Sequence, residues 1–217
     1  MKIKNLLLSA FAVLMMPALV QSQPIVKNVL PVKFDLGIKV AANFANMHGE
    51  EWESGYKPGI AGGIFGGVRF KRFGVSADVL FSQMKYVGNG VNFYNAVKGN
   101  GTVFNASADS ATHGEFVVTY LSIPVLLNVK LAGPLWFQVG PQFSNVIGIK
   151  DKDQLLRDAK NIFKSNDVAG VIGLQLNLAS LRVGARYVIG FSDLSNESLS
   201  SSWKQRTIQL QLGWAIL

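Results

Sequence analysis

The sequence predicts an all-β fold, an eight-stranded antiparallel up-and-down transmembrane β-barrel with a short helix in its third outer loop. Three observations carry that prediction. Apolar residues recur with period two in eight successive runs, each about ten residues long, the length a strand needs to cross a bilayer at a tilt near 45°. The links between runs alternate long and short, as in barrels with tight periplasmic turns and longer outer loops. Beyond residue 22 no stretch is long and apolar enough for a membrane helix, so any crossing falls to strands.

Ahead of the barrel, Lys2 and Lys4 precede an apolar run from Leu6 to Val20, followed by Gln21-Ser22. This reads as a secretory signal peptide over residues 1–22; it is too short for a membrane anchor and contains Pro17. Residues 23–33 are then a periplasmic N-terminal segment and residues 34–217 the barrel. In the first run Phe34, Leu36, Ile38 and Val40 alternate with Asp35, Gly37, Lys39 and Ala41. The second sets Ile60, Ile64, Val68 and Phe70 against Ala61, Gly63, Gly67 and Arg69, and the third sets Phe73, Val75, Ala77, Val79 and Phe81 against Gly74, Ser76, Asp78 and Ser82. In the fourth, Leu121 to Leu131 at odd positions oppose Tyr120, Ser122, Pro124, Asn128 and Lys130. The fifth opposes Leu135, Phe137, Val139 and Phe143 to Gln138, Gly140, Gln142 and Ser144, and the sixth opposes Val168, Ile172, Leu174, Leu176 and Leu178 to Gly173, Gln175 and Asn177. Val183 to Phe191 at odd positions form the seventh, against Arg182, Gly184, Arg186 and Gly190; Ile208 to Ile216 at even positions form the eighth, against Gln209, Gln211 and Gly213.

A soluble barrel with its apolar face turned inward around a ligand would dress its outside with charge. Here the apolar face is nearly unbroken and the opposite face carries Gly, Arg, Lys, Asp, Gln and Asn, the arrangement for lipid outside and a polar interior. Composition agrees: 49% of the 217 residues are hydrophobic, only 16% are charged, and there is no Cys. That excludes a disordered polymer, a disulfide-stapled module, a cysteine-ligated metal site and a lipid anchor on cysteine. The net charge of +8 is spread too sparsely to track a phosphate backbone, so no nucleic-acid partner is expected.

Parity directs Asp35, Lys39, Arg69, Asp78, Lys130, Arg182 and Arg186 inward. A charge facing lipid costs about 2–4 kcal/mol at the midplane, and eight strands leave an interior that side chains can fill. The expectation is a lumen plugged by paired charges, with Asp78 bonded to an arginine; the alternative is an anion-selective pore. Pro124 and Pro141 fall at nearly the same level on adjacent strands. Neither donates to the ladder, so a bulge is expected there. In the third loop, residues 151–164 place Leu155, Leu156, Ala159, Ile162 and Phe163 on one helical face, with Asp151 or Asp153 as cap. This short helix either packs on the rim near Trp52 or Trp203, or offers Leu155, Leu156, Ile162 and Phe163 as a docking face.

Enzymatic chemistry finds little support. His48 and His113 are the only histidines, with Glu50, Glu51 and Glu115 nearby and Ser107 or Ser110 upstream of His113, and no nucleophile elbow is present. No catalytic, metal or cofactor site is expected, and no phosphate-cradling glycine loop precedes a helix.

The runs also carry a resemblance. Phe34-Asp-Leu-Gly-Ile-Lys-Val-Ala-Ala-Asn43-Phe-Ala-Asn46, Ala77-Asp-Val-Leu-Phe-Ser-Gln83, Tyr120-Leu-Ser-Ile-Pro124-Val-Leu-Leu, Gly140-Pro141-Gln142 and Gly184-Ala-Arg186-Tyr187 resemble, in order, the strand motifs of the PorT-like outer-membrane β-barrel family of Bacteroidetes. The resemblance implies an outer-membrane barrel of that phylum, in a family whose named member belongs to a protein-secretion system. The expected partners are outer-membrane lipid, the barrel-assembly machinery during insertion, and envelope or secretion proteins met through the loops. Both termini are expected in the periplasm, and the role is structural or interactive, with a small-solute channel or a lipid-modifying enzyme as alternatives.

Overall fold

The computed structural model describes residues 32–90, 92–93, 114–152, 164–195 and 203–217. Eight strands, β1 (Lys33–His48), β2 (Lys57–Arg69), β3 (Phe73–Val87), β4 (Glu115–Ala132), β5 (Leu135–Asp151), β6 (Asn166–Leu178), β7 (Leu181–Gly190) and β8 (Lys204–Ala215), follow one another around a closed barrel. Every neighbouring pair is antiparallel, and β1 and β8 close the ring from Gly37 opposite Ala215 to His48 opposite Lys204. Short turns join β2 to β3, β4 to β5 and β6 to β7, while the other connections are long. The expected signal peptide, residues 23–31 of the arm, His113 and its neighbouring serines, and Leu155, Leu156, Ile162 and Phe163 lie outside the described residues. Asp151, considered above as a helix cap, is the last residue of β5 and pairs with Phe116.

The period-two pattern has its physical reason in the burial. On the outer face Ile38, Val40, Ile64, Val75, Leu127, Ile172, Leu210 and Leu212 are all exposed, an arrangement that water would penalise and hydrocarbon favours. Aromatic rings edge the band: Phe34, Phe70, Phe73 and Trp214 at the turn end, and Tyr56, Phe81, Phe143 and Phe191 toward the loop end, as at membrane–water interfaces.

The strands on one side run well past the expected ten residues. β3, β4 and β5 have 15, 18 and 17 residues and β1 has 16, against 13, 10 and 12 for β6, β7 and β8, so the wall is taller over β3–β5 than over β6–β8. Outward-facing Lys85 and Lys150, both paired in register with Val117, mark where that wall has left the apolar band.

The bulge expected at Pro124 and Pro141 does not form. Pairing on either side of both prolines keeps one register, and the shifts between β4 and β5 lie instead at Thr119/Tyr120 and Lys130/Ala132. The adjacent Gly140 explains the tolerance, since a Cβ there would run into the Val125 carbonyl. With no side chain in the way, the backbones approach closely enough to hold register across the missing donors.

Candidate functional site

The lumen is the candidate site, and it is filled in tiers. At the turn end the Asp35 carboxylate accepts from Arg69 Nη2 (2.6 Å) and Arg182 Nη2 (2.8 Å), joining β1 to β2 and β7. The Arg69 guanidinium also stands 5.8 Å from the Trp136 ring. One level up, Asp78 Oδ2 accepts from Lys39 Nζ (2.7 Å) and Arg186 Nη1 (2.6 Å), and all three side chains are buried. This tier crosses the lumen from β1 and β7 to β3.

Glycine makes the crossing possible. Lys39 lies opposite Gly63 on β2, so its chain passes over a bare stretch of wall to reach the next strand but one, with its ammonium 5.1 Å from the Phe65 ring. Arg186 lies over Gly173, where a Cβ would sit 2.8 Å from its Cγ. Neutral amides complete the tier: Arg186 Nε donates to Gln138 Oε1 (2.9 Å), Gln138 Nε2 to Asn128 Oδ1 (2.7 Å), and Asn128 Nδ2 to Ser76 Oγ (2.9 Å). Two carboxylates thus hold four cations. Buried charges at such distances are tolerable only when paired and hydrogen-bonded.

Lys130 does not join them. It has inward parity but is exposed at the turn end of β4, opposite Trp136, which corrects its expected place in the lumen. Parity assigns a face; height along the axis decides whether that face is covered.

Above the charges comes a belt of hydroxyls and amides, in which Gln142 donates to Ser144 and Ser144 to Ser122, while Gln209 donates to Asn43. The loop end is closed by an apolar plug that the sequence reading did not assemble. Ala45, Met47, Met84, Tyr86, Phe116, Val118 and Tyr120 line the inner wall, and Trp52, Phe93, Leu194 and Trp203 lean in from the loops, all buried. Trp52 is its centre, with ring centroids of Trp203, Phe93, Phe116 and Tyr86 at 5.1, 5.3, 5.8 and 5.9 Å, edge-on as ring quadrupoles prefer. The Trp203 indole N–H donates to Glu51 Oε2 at 3.1 Å, and its backbone N–H donates to Asp193 Oδ1 at 2.8 Å. The signal was present in Tyr86, Phe116, Val118 and Tyr120, which are apolar or aromatic at inward parity where the strands leave the membrane.

The void remaining among Asp35, Lys39, Asp78, Arg182 and Arg186 is about 20 Å³, room for about one water molecule. Chemically, the arrangement fixes the wall and blocks the axis. On the outer face, His48 lies opposite Lys204.

The family described as outer membrane protein beta-barrel domain matches residues 21–196. Among solved structures, the chain is similar to Neisserial surface protein A, at 12% identity over 84% of this chain and 97% of that one, with a TM-score of 0.46. It is also similar to Ail, the attachment invasion locus protein of Yersinia pestis, solved with the heparin analogue sucrose octasulfate, at 13% identity over 85% of this chain and 99% of that one, with a TM-score of 0.44. No curated protein matches the sequence.

Proposed function

The chain belongs to the outer membrane protein beta-barrel domain family, and from that premise we propose that it is a non-conducting outer-membrane barrel serving as a structural or interaction scaffold through its loops. The observation that carries this reading is the doubly closed lumen, with the Asp35 and Asp78 ion pairs below and the Trp52 plug above. A permeant solute would have to displace both, and a charge-lined path with room for about one water offers no route. The short turns and the barrel ends of β1 and β8 face the periplasm in this reading, and the long loops face outward. The reading is non-enzymatic, and it leaves recognition to loops carried on a rigid wall.

The finer assignment is a PorT-like barrel of Bacteroidetes working in a secretion or envelope assembly. Its support is the order of the strand motifs, which fall on β1, β3, β4, β5 and β7. The Leu155, Leu156, Ile162 and Phe163 stripe is the proposed contact, on the strength of its helical spacing alone. Planar-bilayer recording of the purified protein tests the closed lumen: no steady current is expected, and large, stable single-channel currents would refute it. Crosslinked pull-down from outer membranes tests the loops. Leu156→Asp with Phe163→Asp should change either stability or the set of captured proteins, and no change in both removes the stripe from the reading.

A further inference from the structure

One wall of the barrel departs from the rest at its loop end. Around β1, β8 and β7 the outward residues fall in rows fixed by register: His48 and Lys204; then Asn46, Arg206 and Ile189; then Phe44, Ile208 and Tyr187; then Ala42, Leu210 and Ala185. His48, Lys204 and Arg206 are exposed, and with Ile189 and Phe191 they line a concavity of about 370 Å³. None of the three is ion-paired among the described residues. On the opposite wall, by contrast, Lys85 and Lys152 are both held by Glu115.

Beneath this cluster the apolar surface is hollow. Ala42 and Ala185 flank Leu210 in a single row, where the row above carries Phe44, Ile208 and Tyr187 and the row below Val40, Leu212 and Val183. The resulting groove of about 680 Å³ is almost wholly apolar and continues to Leu174 and Leu176 on β6. From Arg206 to Leu210 is four residues along the strand, roughly 13 Å, so basic cluster and groove are consecutive parts of one surface. Tyr56 and Tyr187, with Arg206 close by, lie between them at the depth where amphipathic rings favour the headgroup boundary.

We propose that this wall binds a phosphorylated lipid of the outer leaflet, with its phosphate on Lys204, Arg206 and His48 and an acyl chain in the groove over Ala42 and Ala185. The proposal rests on the orientation given under Proposed function. Two cations without an ion pair among the described residues, beside a histidine at the edge of hydrocarbon, call for an anion at that depth, and a guanidinium beside an ammonium suits phosphate oxygens. A flexible chain fills a hollow between leucines, where a flat protein face would leave a void.

The test uses the full barrel, purified in a non-ionic detergent, with lipid retention read by native mass spectrometry. Dioleoyl phosphatidic acid should be retained well above phosphatidylcholine of the same chains. Lys204→Gln and Arg206→Gln should each weaken retention about fivefold, and the pair about twenty-five-fold, as expected for roughly 1 kcal/mol per interfacial cation. Ala42→Phe with Ala185→Phe should weaken it too, while Lys85→Gln should leave it unchanged; heat-modifiable mobility verifies that each variant is folded. Equal retention of both lipids, or indifference to both cation variants, overturns the proposal. So does displacement by an equal concentration of inorganic phosphate, which would make this a free-phosphate site, or an empty dimer abolished by the alanine variants, which would give the groove to a second copy. Because the chain has no cysteine, Glu50→Cys labelled in whole cells by an impermeant maleimide tests the orientation separately. A shielded Cys places the wall in the inner leaflet and overturns the outer-leaflet assignment, whereas a labelled Cys without lipid retention overturns the site alone.

Discussion

Removing the Asp78 carboxylate would leave Lys39 and Arg186 buried side by side with no counter-charge. Asp78→Asn is therefore expected to destabilise the barrel by about 3–5 kcal/mol, read as a lower urea midpoint in detergent. Adding Lys39→Met should restore part of that loss, since it deletes one of the stranded cations; no recovery would mean that the pair is not energetically coupled. Sequence parity was enough to turn Asp35, Lys39, Arg69, Asp78, Arg182 and Arg186 inward, because a strand has only two faces. It could not pair them. Which side chains meet depends on the register of strands far apart in the chain and on which intervening positions are glycine, as Gly63 is beneath Lys39 and Gly173 beneath Arg186. Lys130 shows the same limit from the other side, having the right face and the wrong height.

At the scale of strands and loops, the tall β3–β5 wall exists to be leaned upon, and Trp203 is buried completely against the plug that rests there. Trp203→Ala should cost about 3–5 kcal/mol, and it should raise protease sensitivity of the loop ends before that of the strands. The eight strands and their alternating links were readable from period and spacing, but their ends were not, because above the membrane the outward face turns polar while the inward face of β3 and β4 turns apolar. Glu115 sits in that region, beyond the apolar band. Its carboxyl is held below the ordinary value of 4.5, first by the hydrogen bond from Lys152 and then by Lys85. A lowered folded-state pKa means that the stabilisation is present above that ordinary value and lost as pH falls through the lower one. The group is partly exposed, so solvent screening limits the effect to about 1 kcal/mol or less. Wild type and Glu115→Gln should differ slightly in stability near pH 7 and converge as pH falls from 4.5 through the lowered value; a gap that widens in acid would contradict the assignment.

As a whole molecule, the protein should be recovered with the outer-membrane fraction as a heat-modifiable, β-rich species, and recovery as a soluble protein would contradict the lipid-facing band of Ile38, Val40, Leu210 and Leu212. Two seals in series make a further expectation: Trp52→Ala with Trp203→Ala, which opens only the upper one, should still give no steady current in planar bilayers, because the Asp78 tier lies below it. The seam between β1 and β8 bears on how such an object comes into being. Its last backbone hydrogen bonds tie Ile216 and Leu217 to Leu36, so the first strand keeps one bare edge until the final strand has been synthesised and docked. Loop closure over nearly the entire chain makes that step slow and dependent on everything before it. A chain halted after β7 has two open edges and an apolar face at once, the combination most prone to intermolecular pairing. Completion of this barrel is in that sense a single late event, in which the two ends of the strand sequence find each other or the chain is lost to aggregation.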